Sequence, residues 1–335
     1  MYQADPIFDK AVSATGVFIP SYFALEEFGG GNINLVLNET LSEVYEVNDK
    51  KFCTDVRFKS QPRINGGCGG ILVAPNWVAT AAHCVERYIE QEVDGGYSCP
   101  NLNVAFGYQM REDLSVPTSI PSEDFYTCDI VKILKPDSGD LEIESDFALV
   151  RLTEPVTTRE YVDIELSVPA AEENRSLLSF PHSLPMKLSP GIVEERFYTD
   201  KFLANKLDEE WFTDEFIERK EKSTAYSIKM KAAVYPGSSG GAHINNEGKL
   251  EGIQTGGSGK YFRTIDPDHP EEQKATYQPL EKEETFYLFD ENKGCIRSLD
   301  CEDDDVICVA HSIIDSLTQY SDQLESLGIV DKNLE

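Results

Sequence analysis

Hydrophobic positions along this chain fall in short apolar or alternating runs, at Asn34–Leu37, Asp55–Lys59, Gly70–Ala74, Trp77–Ala81, Asn103–Gly107, Ile130–Leu134, Phe147–Leu152, Ile228–Val234 and Leu250–Thr255. Gly, Pro, Asn and Asp separate them. Side chains of a strand alternate between the two faces of a sheet, so runs of this kind bounded by turn formers predict strands. The chain shows no repeat at a fixed period, and the pattern predicts an all-β fold.

Two segments break the pattern. In Thr199–Glu221, Phe202, Leu203, Leu207, Trp211, Phe212, Phe216 and Ile217 recur at near-helical spacing with charges between them, which predicts an inserted helical segment. In Ser312–Leu327, Ile313, Ile314, Leu317, Tyr320, Leu324 and Leu327 form a cleaner apolar stripe, which predicts a C-terminal α-helix. Both helices are expected to pack on the sheets. Residues 85–128 and 260–300 read as long acidic loops.

Composition narrows the class of protein. A chain of 335 residues with 40% hydrophobic content can bury a substantial core. Its net charge of −30 repels phosphates and excludes nucleic acid as a partner. No run approaches the ~20 apolar residues of a membrane span, so no membrane association is expected. Eight cysteines, an even number, imply disulfides and a secreted or periplasmic location. Cys53, Cys99 and Cys128 lie in the first half, and Cys295, Cys301 and Cys308 cluster near the end, so either one bridge crosses between the halves or two thiols stay free. The first residues have no basic start and no apolar core of signal-peptide length, which fits a mature form. Asn38-Glu-Thr40 and Asn174-Arg-Ser176 fit the glycosylation pattern. No Cys-x-x-Cys occurs and the five histidines are scattered, so no metal and no cofactor are expected. Cys301-Glu-Asp-Asp-Asp305 reads as an acidic loop, because no Gly or regular ligand alternation accompanies it.

Three short motifs carry the chemistry. Cys68-Gly-Gly-Ile-Leu-Val-Ala-Pro-Asn-Trp-Val-Ala-Thr-Ala-Ala-His83-Cys84 ends an apolar run on a histidine; Ser145-Asp146 precedes Phe-Ala-Leu-Val; Pro236-Gly-Ser-Ser239-Gly-Gly241 follows. A serine hydroxyl needs a neighbouring base to take its proton as it attacks a carbonyl. Histidine titrates near neutrality and can take that proton and pass it to a leaving amine. A carboxylate fixes the imidazole tautomer and stabilises the imidazolium. Glycines around the serine let the backbone turn tightly and aim N–H groups at a developing oxyanion, so the amides of Gly237 and Ser239 are oxyanion-hole candidates.

The motifs Cys-Gly-Gly, Thr-Ala-Ala-His-Cys, Asp-Phe-Ala-Leu-Val and Gly-x-Ser-Gly-Gly together resemble the trypsin/chymotrypsin-like serine peptidases, over roughly residues 50 to 260. The resemblance implies two six-stranded antiparallel β-barrels (chymotrypsin-like) with the catalytic residues at their junction. It assigns His83 as general base, Asp146 as its orienter and Ser239 as nucleophile, with the Gly-x-Ser-Gly-Gly frame selecting Ser239 over Ser238. It also implies a Cys68–Cys84 disulfide beside His83. The expected divisions are an N-terminal extension at 1–50, a first barrel at 51–165 with His83 and Asp146, a second barrel at 166–295 with Ser239, and a C-terminal segment and helix at 296–335.

The chain also departs from that family. The trypsin branch has an aspartate immediately before the serine to pair with a newly cut N-terminus, and Ser238 stands there instead. Arg63-Ile-Asn-Gly-Gly67 mimics the start of such an enzyme but lies too close to Cys68, and reads as a turn. Lys249-Leu-Glu-Gly-Ile-Gln-Thr-Gly-Gly257 matches the strand that walls the substrate cleft and is closer to the bacterial glutamyl-endopeptidase-like branch, whose members carry His at the position of Gln254. Gln254 and Thr255 would give an uncharged pocket that selects polar or small side chains. Gly256 and Gly257 would let a substrate strand approach and pair with the main chain. The expected protein is a secreted, monomeric serine endopeptidase acting on polypeptides through an acyl-enzyme; the alternatives are a catalytically silent binding module and an esterase with the same three residues.

Overall fold

The computed structural model describes residues 6–27, 31–46, 50–134, 146–167, 169–197, 227–232, 234–257, 261–264, 276–279, 287–290, 293–298, 306–307 and 311–331. The helix expected at Thr199–Glu221 lies outside them, as do Cys301 and Cys308.

Six strands make a first ring: β1 (Thr15–Pro20), β2 (Gly67–Ala74), β3 (Trp77–Ala81), β4 (Leu102–Phe106), β5 (Phe125–Leu134) and β6 (Phe147–Leu152). They run antiparallel in the order β4-β1-β2-β3-β6-β5, and pairing of β4 with β5 closes the ring. The tightest connection is the hairpin at Pro75-Asn76, where Ala74 opposes Trp77. Proline has no N–H to give a ladder, so it falls naturally in the turn. A second set closes as a barrel: β7 (Asn174–Ser179), β8 (Lys187–Phe197), β9 (Ser227–Ala232), β10 (Ala242–Ile244), β11 (Leu250–Gly257) and β12 (His311–Ser316). The fold is the expected all-β, double-barrel architecture.

One apolar cluster runs through both barrels, from Phe18, Ile71, Val78, Val104 and Leu149 to Leu178, Ile244 and Ile253. The tail joins it: the ring of Tyr320 stacks on Phe147 at 4.6 Å between centroids. Burial of this kind stabilises by about 25 cal/mol per Å² of apolar surface, and it makes the junction between barrels a packed interface.

Several expectations are corrected. The segment 1–50 is not only an extension, because β1 lies between β2 and β4 as an integral strand of the first ring. Its Thr-Gly-Val-Phe-Ile-Pro sequence hides this, with a turn former at each end of a short apolar core. The second barrel also reaches past residue 295, because β12 closes it by pairing with β9 and β11. The start of the expected Ser312–Leu327 helix is therefore strand, and the helix shrinks to Ser321–Ser326. Two adjacent isoleucines at 313 and 314 suit a strand, and the barrel's open edge outweighs the helical spacing. Asp55–Lys59 is a turn in which Phe58 adopts φ 63°, with Gln61 N–H donating to Phe58 O at 3.0 Å. Arg63 and Ile64, the start of the expected turn, lie instead in a short strand, Pro62–Ile64, paired with Leu37–Thr40. The stretch 85–128 carries β4 and the shorter strands Glu92–Val93, Gly96–Ser98 and Ser119–Pro121.

Disulfides join Cys53–Cys295, Cys68–Cys84 and Cys99–Cys128. The first crosses between the halves. Around it Cys53 N–H donates to Ile296 O, and Ile296 N–H to Lys51 O, both at 2.7 Å. Leu41, Phe52, Val56, Leu184 and Ile296 pack there as a small separate core. No helix among the described residues is long and apolar enough to cross a membrane.

Candidate active site

β3 ends at Ala81 and the chain tightens into a 3-10 turn, Ala82–Cys84, that presents His83. β6 pairs with β3 so that Phe147 opposes Ala81, which puts Asp146 beside that turn. Asp146 then holds both the backbone and the ring of the histidine. His83 N–H donates to Asp146 Oδ1 at 2.8 Å, and His83 Nδ1 lies 2.7 Å from Asp146 Oδ2. With Nδ1–H donating to the carboxylate, a neutral ring presents Nε2 as an acceptor. The hydrogen bond to Asp146 raises the His83 pKa above its ordinary value, against an opposing effect of burial. Cys84 Sγ lies 3.8 Å from Nε2, and the Cys68–Cys84 bridge ties this turn to β2. Cys68, His83 and Cys84 group their side-chain N and S atoms within 4.8 Å, but both sulfurs are spent in the disulfide.

Ser239 sits between two successive tight turns. Ser238 N–H donates to Tyr235 O at 2.9 Å, with Pro236 and Gly237 between them and Gly237 at φ +86°. Gly241 N–H donates to Ser238 O at 3.0 Å, with Gly240 at φ +72°. Proline followed by a left-handed glycine is the residue pair that a type II turn demands. A side chain at Gly237 would meet Phe180 O at 2.9 Å and His182 N at 3.1 Å. At Gly240 it would meet Gly69 O at 2.1 Å and Thr80 Oγ1 at 2.4 Å.

Those close approaches dock the serine loop onto the first barrel. Gly69 N–H donates to Ser239 O at 2.7 Å, and Gly69 O accepts from Thr80 Oγ1 at 2.7 Å. Gly69 adjoins Cys68, and Thr80 lies three residues before His83, so the loop is pinned to the two strands that carry the histidine turn. Among the described residues no hydrogen bond joins the Ser239 hydroxyl to the imidazole. Contacts between base and nucleophile are commonly loose without substrate and tighten in the complex. Ser238, the competing hydroxyl, is fully buried; its Oγ accepts from Tyr235 N–H at 3.3 Å and lies 3.4 Å from Ser179 Oγ. Ser239 is only partly buried. Among the described residues neither Gly237 nor Ser239 donates its amide to another backbone group.

Along β11, pairing with β10 ends at Ile253, so that edge has no strand neighbour at Gly256 and Gly257 among the described residues. Thr255 is bulged out of the ladder with β12, where the register shifts between Gln254 and Gly256. Gln254 is buried, 1% exposed, with Oε1 3.0 Å from His243 Nε2 and Nε2 donating to Gly256 O. Its backbone fastens the serine loop: Gly240 N–H donates to Gln254 O at 2.7 Å, and Gln254 N–H to Gly241 O at 2.8 Å. Burial pushes the pKa of His243 down to about 4, so the pair is neutral.

Sequence reasoning missed the turn at Phe180–Ser183, on which Gly237 rests. His182 N–H donates to Pro236 O at 2.5 Å, and His182 and Ser183 both have positive φ. The His182 ring lies between Tyr45 and Tyr235, at 6.2 and 5.4 Å, and burial pushes its pKa down to about 4. Nothing in the local sequence signals this contact, because its partners come from three distant segments.

The fold and the motifs define a class, and a family comparison agrees with it: the chain belongs to the trypsin-like peptidase domain family, which matches residues 68–253, just over half its length. Among curated relatives it is similar to Brachyurin of Leptuca pugilator (32% identical over 91 residues, 27% of this chain and 32% of that protein). It is also similar to Trypsin-10 of Gadus morhua (28% over 131 residues, 38% and 46%). A shorter match is to Inactive serine protease 35 of Bos taurus (49% over 41 residues, 12% and 10%). The matched stretches thus span between a tenth and about half of these relatives. Among solved structures, Rv3671c protease from M. tuberculosis in its active form aligns with TM-score 0.45 at 12% identity, over 97% of this chain and 86% of that one.

Proposed function

We propose that this chain is a secreted serine endopeptidase that hydrolyses peptide bonds through Ser239, His83 and Asp146. The observation that carries the reading is the double hold of Asp146 on His83, at 2.8 and 2.7 Å, beside a serine loop pinned to Gly69. In the first step Ser239 Oγ attacks the substrate carbonyl carbon while its proton passes to His83 Nε2. Negative charge gathers on the carbonyl oxygen, where the amides of Gly237 and Ser239 receive it; each such donor contributes about 3–4 kcal/mol to the transition state. The tetrahedral intermediate collapses, the C–N bond breaks, and the leaving amine takes the proton from His83. Water then repeats the sequence against the acyl-enzyme, with His83 again as base. Asp146 stabilises the imidazolium and is not itself protonated.

The acyl half of the substrate pairs along Gly256 and Gly257, adding a strand to β11. With Gln254 turned inward onto His243, the wall beside Thr255 carries no fixed charge, which favours a polar or small side chain there. The three disulfides among the described residues suit an oxidising compartment. In this reading the enzyme acts as a monomer. Similarity to an inactive relative makes a catalytically silent binding module the reading to exclude. A fluorophosphonate probe decides between them. Stoichiometric labelling of the folded protein, lost in Ser239→Ala, is the expected result; no adduct, or one that survives the substitution, refutes the peptidase reading.

A further inference from the structure

A pocket of about 290 Å³ opens between the turn that follows the His83 turn and the Phe180–Ser183 turn on which Gly237 rests. Arg87 and Tyr88, from the 3-10 turn Glu86–Tyr88 that follows His83, form one side. Ser183 stands on the other, and its backbone N would lie 3.2 Å from a Cβ at Gly237. Arg63 lines the pocket between them. Among the described residues none of β11, along which the acyl half of a substrate would pair, borders it. In peptide hydrolysis the histidine protonates the leaving amine, so the leaving half of the chain passes on the histidine's side.

The charge of this pocket is unlike that of the rest of the molecule. The chain has 60 acidic and 30 basic side chains, yet two guanidiniums stand here with no carboxylate paired to either among the described residues. Both are steadied by other means. Arg63 Nε donates to Glu39 O at 2.9 Å, and the Arg87 guanidinium lies over the Tyr88 ring at 5.0 Å. Asn38 Nδ2 donates to Asn65 Oδ1 at 2.8 Å along the same wall, and Ser183 Oγ donates to Gly66 O at 2.6 Å. The polar neighbours are thus internally satisfied, and the rest of the lining, with Pro20, Tyr22, Phe23 and Ile64, carries no charge, which leaves the two cations as the groups that choose a ligand. A held guanidinium recognises a carboxylate with directed, charge-assisted hydrogen bonds.

We propose that this pocket receives an Asp or Glu side chain of the polypeptide substrate, within the first few residues after the scissile bond. The assignment rests on the peptidase reading above and adds a charge preference on the leaving side, to complement the uncharged wall on the acyl side.

Cleavage of an internally quenched peptide library, randomised after the scissile bond, tests it. The wild-type protein should enrich Asp and Glu about tenfold over Asn and Gln at one position, an effect that weakens with added salt. Arg63→Glu and Arg87→Glu should each turn the preference at that position toward Lys and Arg. Equal cleavage of acidic and amide peptides, or a preference that survives both reversals, overturns the pocket assignment. Binding of a Glu peptide and its Gln counterpart to the Ser239→Ala protein, read by fluorescence anisotropy, needs no catalysis. Tighter binding of the Glu peptide by about tenfold supports the assignment, and equal affinity refutes it. Failure of fluorophosphonate labelling strikes the peptidase reading, whereas labelling with indifferent binding strikes only the pocket.

Discussion

Substituting Gly240 by alanine isolates the contact that seats the serine loop on the first barrel. The new Cβ would lie 2.1 Å from Gly69 O and 2.4 Å from Thr80 Oγ1, both fixed on core strands, so the loop must give way. Three hydrogen bonds meet at this corner, each 2.7 Å long: Thr80 Oγ1 to Gly69 O, Gly69 N–H to Ser239 O, and Gly240 N–H to Gln254 O. At about 1 kcal/mol each their loss costs about 3 kcal/mol. A left-handed alanine adds roughly 1–2 kcal/mol. The total, about 4–5 kcal/mol, is a large share of the roughly 5–15 kcal/mol that holds a typical domain together. Gly31 is the control, because it has φ +73° but nothing within 4 Å of an added Cβ, so Gly31→Ala carries the backbone strain alone. Guanidinium unfolding should separate the two variants by about 3 kcal/mol, the share of the three hydrogen bonds. A displacement near 1 Å at the serine should also slow fluorophosphonate labelling of Gly240→Ala by about 100-fold. Equal midpoints and labelling at the wild-type rate would show that the loop is not seated by this contact.

Other outcomes follow from the same geometry. Ser238→Ala should lose about 1 kcal/mol of stability, for its hydrogen bond with Tyr235 N–H, and should still be labelled, because the buried hydroxyl is not the reacting one. Since the folded pKa of His83 is raised, its contribution to stability is complete below the unfolded value and fades as pH rises through the folded one; activity runs the opposite way, rising with pH as the free base forms. In Asp146→Asn the activity midpoint should therefore move to lower pH and kcat should fall by about 10³–10⁴-fold, both read from a pH–rate profile. The bond Cys53–Cys295 spans a sequence separation of 242 residues, and loop entropy sets its contribution at up to about 5 kcal/mol. The Cys53→Ser/Cys295→Ser double variant should show that loss in its denaturant midpoint.

What the sequence made legible was whatever depends on neighbours along the chain. The apolar runs at Gly70–Ala74, Trp77–Ala81 and Phe147–Leu152 became β2, β3 and β6, because their alternation and bounding turn residues act locally. The motif glycines likewise marked tight turns, which the positive φ angles of Gly237 and Gly240 bear out. Long-range closure was not legible. β1 is recognisable as a strand only beside β2 and β4, and the helical spacing from Ser312 misled because no local signal says that a barrel lacks its sixth strand. Gln254 falls on the strand expected for it, but its burial against His243 was not legible, because that contact comes from the neighbouring strand β10. The pairing of Cys53 with Cys295 was one of the open alternatives, and only packing around Ile296 selects it.

The bridge from Cys53 to Cys295 has a consequence for how such a molecule wears. His83, Asp146 and Ser239 all lie between the two cysteines in sequence. A single backbone scission anywhere in that span leaves two pieces that the sulfur link still joins, so one proteolytic nick does not separate the segments that carry the three residues. Such nicked molecules would migrate intact on a non-reducing gel and fall into fragments once a thiol is added.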